Sequence, residues 1–326
     1  MERTEMKTNL MNLSKVVVFM LIFVILLNVL SPIFEPKKNI AEAGIKYEMA
    51  RGFYGEKKNS LDVVAIGNSD LYSAMVPLQL WNEHGIASYV CGEPSQTIMD
   101  AYYLLKDVMS CQKPKLVILE VDELFTKGDA DDLDDAVSST LRNNFPIFEY
   151  HSRWKDLTVD DFEEDIDYNM KHDSKGYVYN KNVKPYNPGF QGFMGKKGKK
   201  KQLSQTTQFY LNKFIELAND NGAQVMFTCF PSATTWSDDK HVTIQDYADR
   251  LNIQFIDFNT NYASTGFNWI TDSRDGGNHL NYDGATKMTR AIGTFLKSNY
   301  SLPDHRSDAE YSQWNKEYEM FIKAQK

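Results

Sequence analysis

The sequence predicts an α/β protein: a three-layer α/β/α sandwich with about five parallel strands, preceded by one N-terminal transmembrane helix. Three observations carry this. Short apolar runs rich in β-branched residues alternate with helical stretches between residues 61 and 300, the pattern of a parallel sheet covered on both faces. Glycines and prolines bound most of those runs. One stretch, residues 16–34 (VVVFMLIFVILLNVLSPIF), holds no charge. As a helix it reaches about 28 Å, close to the ~30 Å hydrocarbon core of a bilayer.

The elements follow in order. Residues 1–35 read as a cytoplasmic stub and membrane anchor. Lys7 and Lys15 precede the apolar run and Lys37 and Lys38 follow it, so the charge rule for orientation is nearly balanced. A cleaved signal peptide, with Ala41-Glu42-Ala43 as its small-x-small site, and a buried core helix are the alternatives. Residues 36–60 form a polar juxtamembrane linker. The α/β domain spans 61–300. Its strands are expected at 61–66, 86–91, 115–121, 224–230 and 253–258. Helices are expected from Pro77 to a stop at Gly85, and over 98–110, 205–219, 243–251 and 283–297. Residues 122–201 break the rhythm and read as a partly helical insertion, with a helix at 157–170 opened by the cap-like pair Thr158 and Asp161. Residues 301–326 form a C-terminal tail, expected to be helical.

Composition narrows the function classes. The chain has 326 residues and a net charge of −8, which disfavours a general nucleic-acid binder. Its three cysteines cannot form a disulfide scaffold. No His-Glu-x-x-His or Cys-x-x-Cys spacing points to a metal, and no Gly-rich phosphate loop follows the first strand, so no metal and no cofactor are expected. The acidic cluster at 129–135 lacks the Gly and terminal Glu of a calcium loop and reads as a solvated loop. The lysine run 196–201 reads as a solvated loop, with anionic polymer or lipid head groups as the alternative.

Ligands of such sheets bind outside the carboxyl ends of the strands. The first of those ends is followed by Gly67-Asn68-Ser69-Asp70. A serine at a strand-to-helix turn can serve as a nucleophile when a histidine base, oriented by a carboxylate, reaches it. It can equally be only a helix cap. His279 lies in a glycine-rich loop just before the last helix, with Asp275 and Asp272 close in sequence. Among the six histidines only it has this setting. His84 reads as a helix end, His172, His241 and His305 as solvated, and His151 as part of the insertion.

Together these blocks resemble the SGNH (GDSL-like) hydrolase superfamily: Gly67-Asn68-Ser69-Asp70 after the first strand, Gly92 after the second, and Asp275 with His279 before the last helix. The runs around Gly92-Glu93-Pro94-Ser95-Gln96-Thr97, Tyr102-Tyr103-Leu104-Leu105 and Gln112-Lys113-Pro114-Lys115 resemble its membrane-anchored, DltD-like branch of Firmicutes. The resemblance covers residues 60–122 and 205–298 and implies the flavodoxin-like SGNH fold. It implies Ser69 as nucleophile, His279 as general base, and the backbone N–H groups of Ser69 and Gly92 as the oxyanion hole.

Two departures stand out. The family's Gly-x-Asn after the third strand is replaced by Val121-Asp122-Glu123, which leaves Gln96 as the substitute donor. Asp275 lies four residues before His279 rather than three; Asp275 is favoured as the orienting carboxylate and Asp272 is kept as the alternative. The expected activity is an extracytoplasmic, single-pass, plasma-membrane serine esterase or acyltransferase. Its expected substrates are acetyl or D-alanyl esters of cell-envelope polysaccharide or teichoic acid. The alternative is a non-catalytic surface protein that partners a membrane-bound O-acyltransferase.

Overall fold

The computed structural model describes residues 2–125 and 129–325. In chain order the elements are helix α1 (Glu2–Phe34), α2 (Ile45–Glu48), strand β1 (Val63–Gly67), α3 (Ser69–Tyr72), α4 (Pro77–His84), β2 (Ser88–Gly92), α5 (Ile98–Cys111), β3 (Leu116–Glu120), α6 (Asp129–Asn144), α7 (Ile147–Tyr150), α8 (Asp160–Glu163), α9 (Gln205–Asp220), β4 (Gln224–Cys229), α10 (Asp238–Leu251), β5 (Gln254–Asp257), α11 (Tyr282–Asn299) and α12 (Ser312–Ala324). The chain divides into two compact units, 1–38 with 137–167, and 39–136 with 168–326.

The larger unit holds the expected sheet: five parallel strands in the order β2-β1-β3-β4-β5. Every residue of β1, β2 and β3 is buried, which is why these strands read as unbroken apolar runs rather than alternating ones. The pleat sends alternate side chains to opposite faces. Val64, Ile66, Val117 and Leu119 enter one core with Leu104, Leu105, Leu211 and Phe214 of α5 and α9. Val63, Ala65, Leu116 and Ile118 enter the other with Met288, Ile292 and Leu296 of α11.

Local chemistry sets the helix ends. Thr97, Ser204, Ser237 and Asn281 each accept a backbone N–H at the start of α5, α9, α10 and α11. Pro77 opens α4, and Gly85 closes it in the left-handed conformation.

Two expectations are corrected. The acidic cluster 129–135 lies in α6, not in a loop; acidic residues in a first turn are favoured by the helix dipole. Asp132 there is buried and accepts the Thr207 hydroxyl at 3.2 Å. The helix expected at 157–170 is the single turn α8. Asp161 does accept the N–H and hydroxyl of Thr158. Extending the helix would stack Asp160 on Glu164, Asp161 on Asp165 and Glu163 on Asp167, all like-charged at i,i+4. The lysine run 196–201 is an exposed loop, as expected; Lys196 and Lys199 donate backbone N–H groups to Asp238 and Asp239, and Lys200 and Lys201 pair at the surface with Asp246 and Asp239.

In the smaller unit, α1 contains a stretch, Thr8–Phe34, long and apolar enough to cross a membrane. Its last carbonyls are capped from outside the helix. Lys37 Nζ donates to Pro32 O at 2.7 Å and Arg153 Nη1 to Phe34 O at 2.6 Å, and Arg153 also holds Asp161 at 2.8 Å.

A buried ion cluster fixes the returning chain in the larger unit. Lys175 is 1% exposed, with Nζ 2.6 Å from both Glu56 Oε1 and Glu317 Oε2 and 4.5 Å from the Trp314 ring centre. This ties α12 and the segment after residue 168 to the polypeptide ahead of β1. Lys175→Ala leaves the buried Glu56 and Glu317 with only the half-exposed Lys171, 3.6 and 3.2 Å away, as a cation, and urea unfolding should show a loss of about 3 kcal/mol. Lys57→Ala, which breaks only an exposed pair with Glu310, should leave the midpoint unchanged.

Candidate functional site

The carboxyl ends of β1 and β2 meet at Gly67 and Gly92, which are register partners. A methyl group at 67 would overlap Glu120 Cβ, and one at 92 would lie 2.8 Å from Tyr72 Cδ1, so both positions need glycine for close packing. Just beyond Gly67, Asn68 caps α3 by accepting the Asp70 N–H at 2.9 Å. This one-turn helix lifts Ser69 to a half-exposed position while Asp70 is buried. The Ser69 side chain lies beside the Tyr72 phenol and opposes the upward push that burial gives it; no hydrogen bond joins Ser69 to His279.

His279 comes from a tight loop. Ser273 and Leu280 form an antiparallel bridge, the Arg274 N–H donates to the His279 carbonyl at 3.1 Å, and Gly276 and Gly277 turn the chain with φ of +87° and +102°. Asp275 Oδ1 accepts the backbone N–H of His279 at 2.8 Å, and Oδ2 lies 2.5 Å from His279 Nδ1. The second ring nitrogen, Nε2, faces the β1 turn, 3.9 Å from Asp70 Oδ1. Asp272 is occupied elsewhere: it accepts the Asn268 N–H at 2.7 Å and the Thr271 hydroxyl at 2.8 Å, and pairs with Lys287 at 2.7 Å.

Electrostatics favours a neutral imidazole. Burial pushes the His279 pKa down; the Asp275 hydrogen bond opposes this and the Arg274 charge reinforces it, with a net lowering. Burial pushes Asp275 up, but the His279 N–H, its imidazole and Arg274 outweigh it, so Asp275 stays ionised. Asp70 behaves in the opposite way. Burial, then the nearby Asp122 charge, push it up to about 8, against the Thr235 hydroxyl bond and Lys240. At pH 7 it is a neutral acid, so it does not hold His279 as a fixed imidazolium.

The position after β3, where the resemblance would place an asparagine, is acidic. Asp122 pairs with Lys240 at 2.6 Å and accepts from Asn68 Nδ2 at 3.4 Å. Glu120 and Glu123 are buried, and desolvation holds both well above the usual carboxylate range. Gln96 is buried and closes a turn on Glu93, accepting its N–H at 2.9 Å; Gln96 Nε2 has no partner among the described residues.

Among the histidines read as solvated, His241 Nδ1 lies 2.8 Å from Asp257. His305 sits between Asp62 (3.1 Å) and Asp308 (2.6 Å), and His172 accepts the Gly176 N–H at 3.2 Å. The Asp257 partner of His241 and the Asp62 partner of His305 come from the fold, whereas Asp308 and Gly176 are near neighbours in sequence. His151, in the smaller unit, is exposed, with Nδ1 3.2 Å from the Phe148 carbonyl. Among the described residues no cluster of His, Cys, Asp or Glu could hold a metal ion.

Four residues of the site escape sequence reasoning. Asp70 belongs to the first block but carries no signal of its burial. Arg274 is visible only as a neighbour of Asp275. Tyr72 and Tyr177 read as ordinary core aromatics. The segment carrying Tyr177 forms a wall of the site: Val178 N–H bonds Tyr72 O at 2.8 Å, Lys184 N–H bonds Ser273 O at 2.9 Å, and Tyr186 packs beneath Gly277.

No family model matches the chain, and no curated protein matches it. Solved structures to which it is similar include a protein described as lipolytic, of the G-D-S-L family, from Desulfitobacterium hafniense. That structure is 17% identical, with 72% of this chain and 98% of that one covered, at a TM-score of 0.38. An acylhydrolase from Bacteroides fragilis is 14% identical, with 78% and 96% covered, at a TM-score of 0.40. The lipase/acylhydrolase from Enterococcus faecalis is 11% identical, with 74% and 99% covered, at a TM-score of 0.37. At these values the likeness assigns neither chemistry nor substrate.

The raised Asp70 carboxyl sets a pH signature. Its contribution to stability is complete below the unfolded carboxyl value, about 3.9, and is lost as pH rises through about 8. Calorimetric melting temperature should therefore fall between about pH 4 and 8 and level off above, and Asp70→Asn should flatten that decline.

Proposed function

We propose that the chain is a serine acyl esterase or acyltransferase of the SGNH type. In this reading it is held at the plasma membrane by α1 with its α/β unit outside the cell, and acts on acetyl or D-alanyl esters of cell-envelope polymers. The observation that carries the chemistry is the setting of His279: Nδ1 bound by Asp275 at 2.5 Å, Nε2 turned toward the Ser69–Asp70 turn, and a lowered pKa. In this reading Ser69 Oγ rotates from Tyr72 toward Nε2 and attacks the ester carbonyl as Nε2 takes its proton. Asp275 holds the ring and balances the imidazolium. The tetrahedral oxyanion is met by the N–H groups of Ser69 and Gly92. Collapse breaks the ester C–O bond, and Nε2 returns the proton to the leaving alcohol. Water or a polymer hydroxyl then repeats the sequence on the acyl-serine and frees Ser69. A neutral Asp70 puts no second carboxylate charge beside Nε2 during either transfer.

A second reading is a non-catalytic SGNH-like surface protein that works with a membrane O-acyltransferase. It is favoured by the acid Asp122 where an oxyanion-hole asparagine is expected. A serine-directed fluorophosphonate separates the two. The first reading expects labelling of the full chain that Ser69→Ala abolishes, with esterase activity falling by about 10³-fold or more in Ser69→Ala and His279→Ala. An unlabelled chain, and envelope ester content unchanged by Ser69→Ala, leaves the second reading. With His279 lowered, the acid limb of kcat/KM should lie below the ordinary imidazole value of about 6.5. Protease added to intact cells should digest residues 60–326; full protection reverses the topology.

A further inference from the structure

Arg274 has no structural employment that matches its burial. Its side chain is 14% exposed, yet its closest ion-pair approach is Nε at 3.7 Å from Asp275 Oδ2. That carboxylate oxygen is already taken by His279. No guanidinium nitrogen makes a hydrogen bond among the described residues; only the backbone N–H of Arg274 is used. The fork is half-buried rather than sealed: none of its nitrogens is cut off from solvent, so its five donors are open to an incoming group. Other arginines of the same unit are satisfied: Arg51, fully buried, binds Glu93 and Asp107.

The location of the fork follows from the loop. The Ser273–Leu280 bridge and the Arg274 N–H to His279 carbonyl bond make 274 and 279 facing positions of a short antiparallel ladder. Facing residues project on the same side, with Cβ atoms about 5 Å apart. The guanidinium therefore stands beside the imidazole, and its charge acts on His279, Tyr72 and Tyr177. Tyr72 carries the contact to Ser69. Tyr177, 1% exposed, has a hydroxyl with no partner among the described residues. Lys184, exposed, runs alongside Gly276 on the same loop. The opposing charges are accounted for: Asp122 is paired with Lys240, and Asp275 is shared with His279.

We propose that Arg274 is an anion subsite beside Ser69, so that the esters this chain acts on carry an oxyanionic group, a phosphate or a carboxylate, within a few bonds of the scissile carbonyl. A guanidinium takes either group through two parallel N–H···O bonds. The inference rests on the serine-ester reading above and narrows it to acyl groups on anionic alcohols.

The test uses the full chain in detergent and three esters that differ in one substituent: 1-acetylglycerol 3-phosphate, O-acetylglycerate and neutral 1-acetylglycerol. Wild type should favour the phosphate ester, the carboxylate ester or both over the neutral one by about 10- to 100-fold in kcat/KM, mainly through KM. Which of the two leads names the anion. Arg274→Gln should collapse the preference and Arg274→Lys should keep part of it. Equal rates on all three esters in wild type, or a preference that survives Arg274→Gln, overturns the subsite. So does an equal fall in kcat on all three, which would make Arg274 an oxyanion donor. Calorimetric binding of glycerol 3-phosphate, glycerate and glycerol reads the subsite without turnover. Binding of an anion that Arg274→Gln abolishes, in a chain that neither labels nor hydrolyses, retains the subsite and rejects the esterase reading. Labelling and turnover with no anion binding do the reverse.

Discussion

The site depends on a strand that has no solvent face. β1 lies between β2 and β3 and buries all five of its residues, so its chain can emerge only at the carboxyl edge. There the backbone passes so close to Glu120 that residue 67 must be glycine. The parallel direction of the neighbouring strands brings Gly92, Asp122 and the Phe230 loop to the same edge. The Ser69 turn therefore meets groups that lie tens to hundreds of residues away in sequence.

That edge collects carboxyl groups, and their protonation differs by environment. Asp275, half-exposed and hydrogen-bonded to His279, remains charged. Asp70, Glu120 and Glu123, buried and near other acidic groups, are all pushed up toward the neutral form. The result is an imidazole with one charged partner at Nδ1 and an uncharged neighbour at Nε2. Arg274 supports the same balance by lowering His279 while leaving its own donors open.

The segment after residue 168 is part of this architecture. Lys175 anchors it between Glu56 and Glu317, and the residues that follow pass the Tyr72 carbonyl and the His279 loop. A stretch that looks like an interruption of the βα rhythm supplies one wall of the candidate site.

The strands and the glycine stops were legible in the sequence, because each depends on residues a few positions apart: Pro77 and Gly85, Thr158 with Asp161, the glycine pair ahead of His279. Ser69, His279 and Asp275 were legible for the same reason, since strand-end turns and a short loop mark them. The burial of Asp70, the open fork of Arg274, the Lys175 cluster and the pairing of His241 with Asp257 and of His305 with Asp62 were not legible. Each arises from groups brought together across the sheet, and a charge reads the same in sequence whether it faces water or a core. Local pattern therefore determined the α/β class and the candidate triad. Only the tertiary structure decided which carboxyls are neutral, which aspartate holds the histidine, and which arginine is left without a partner.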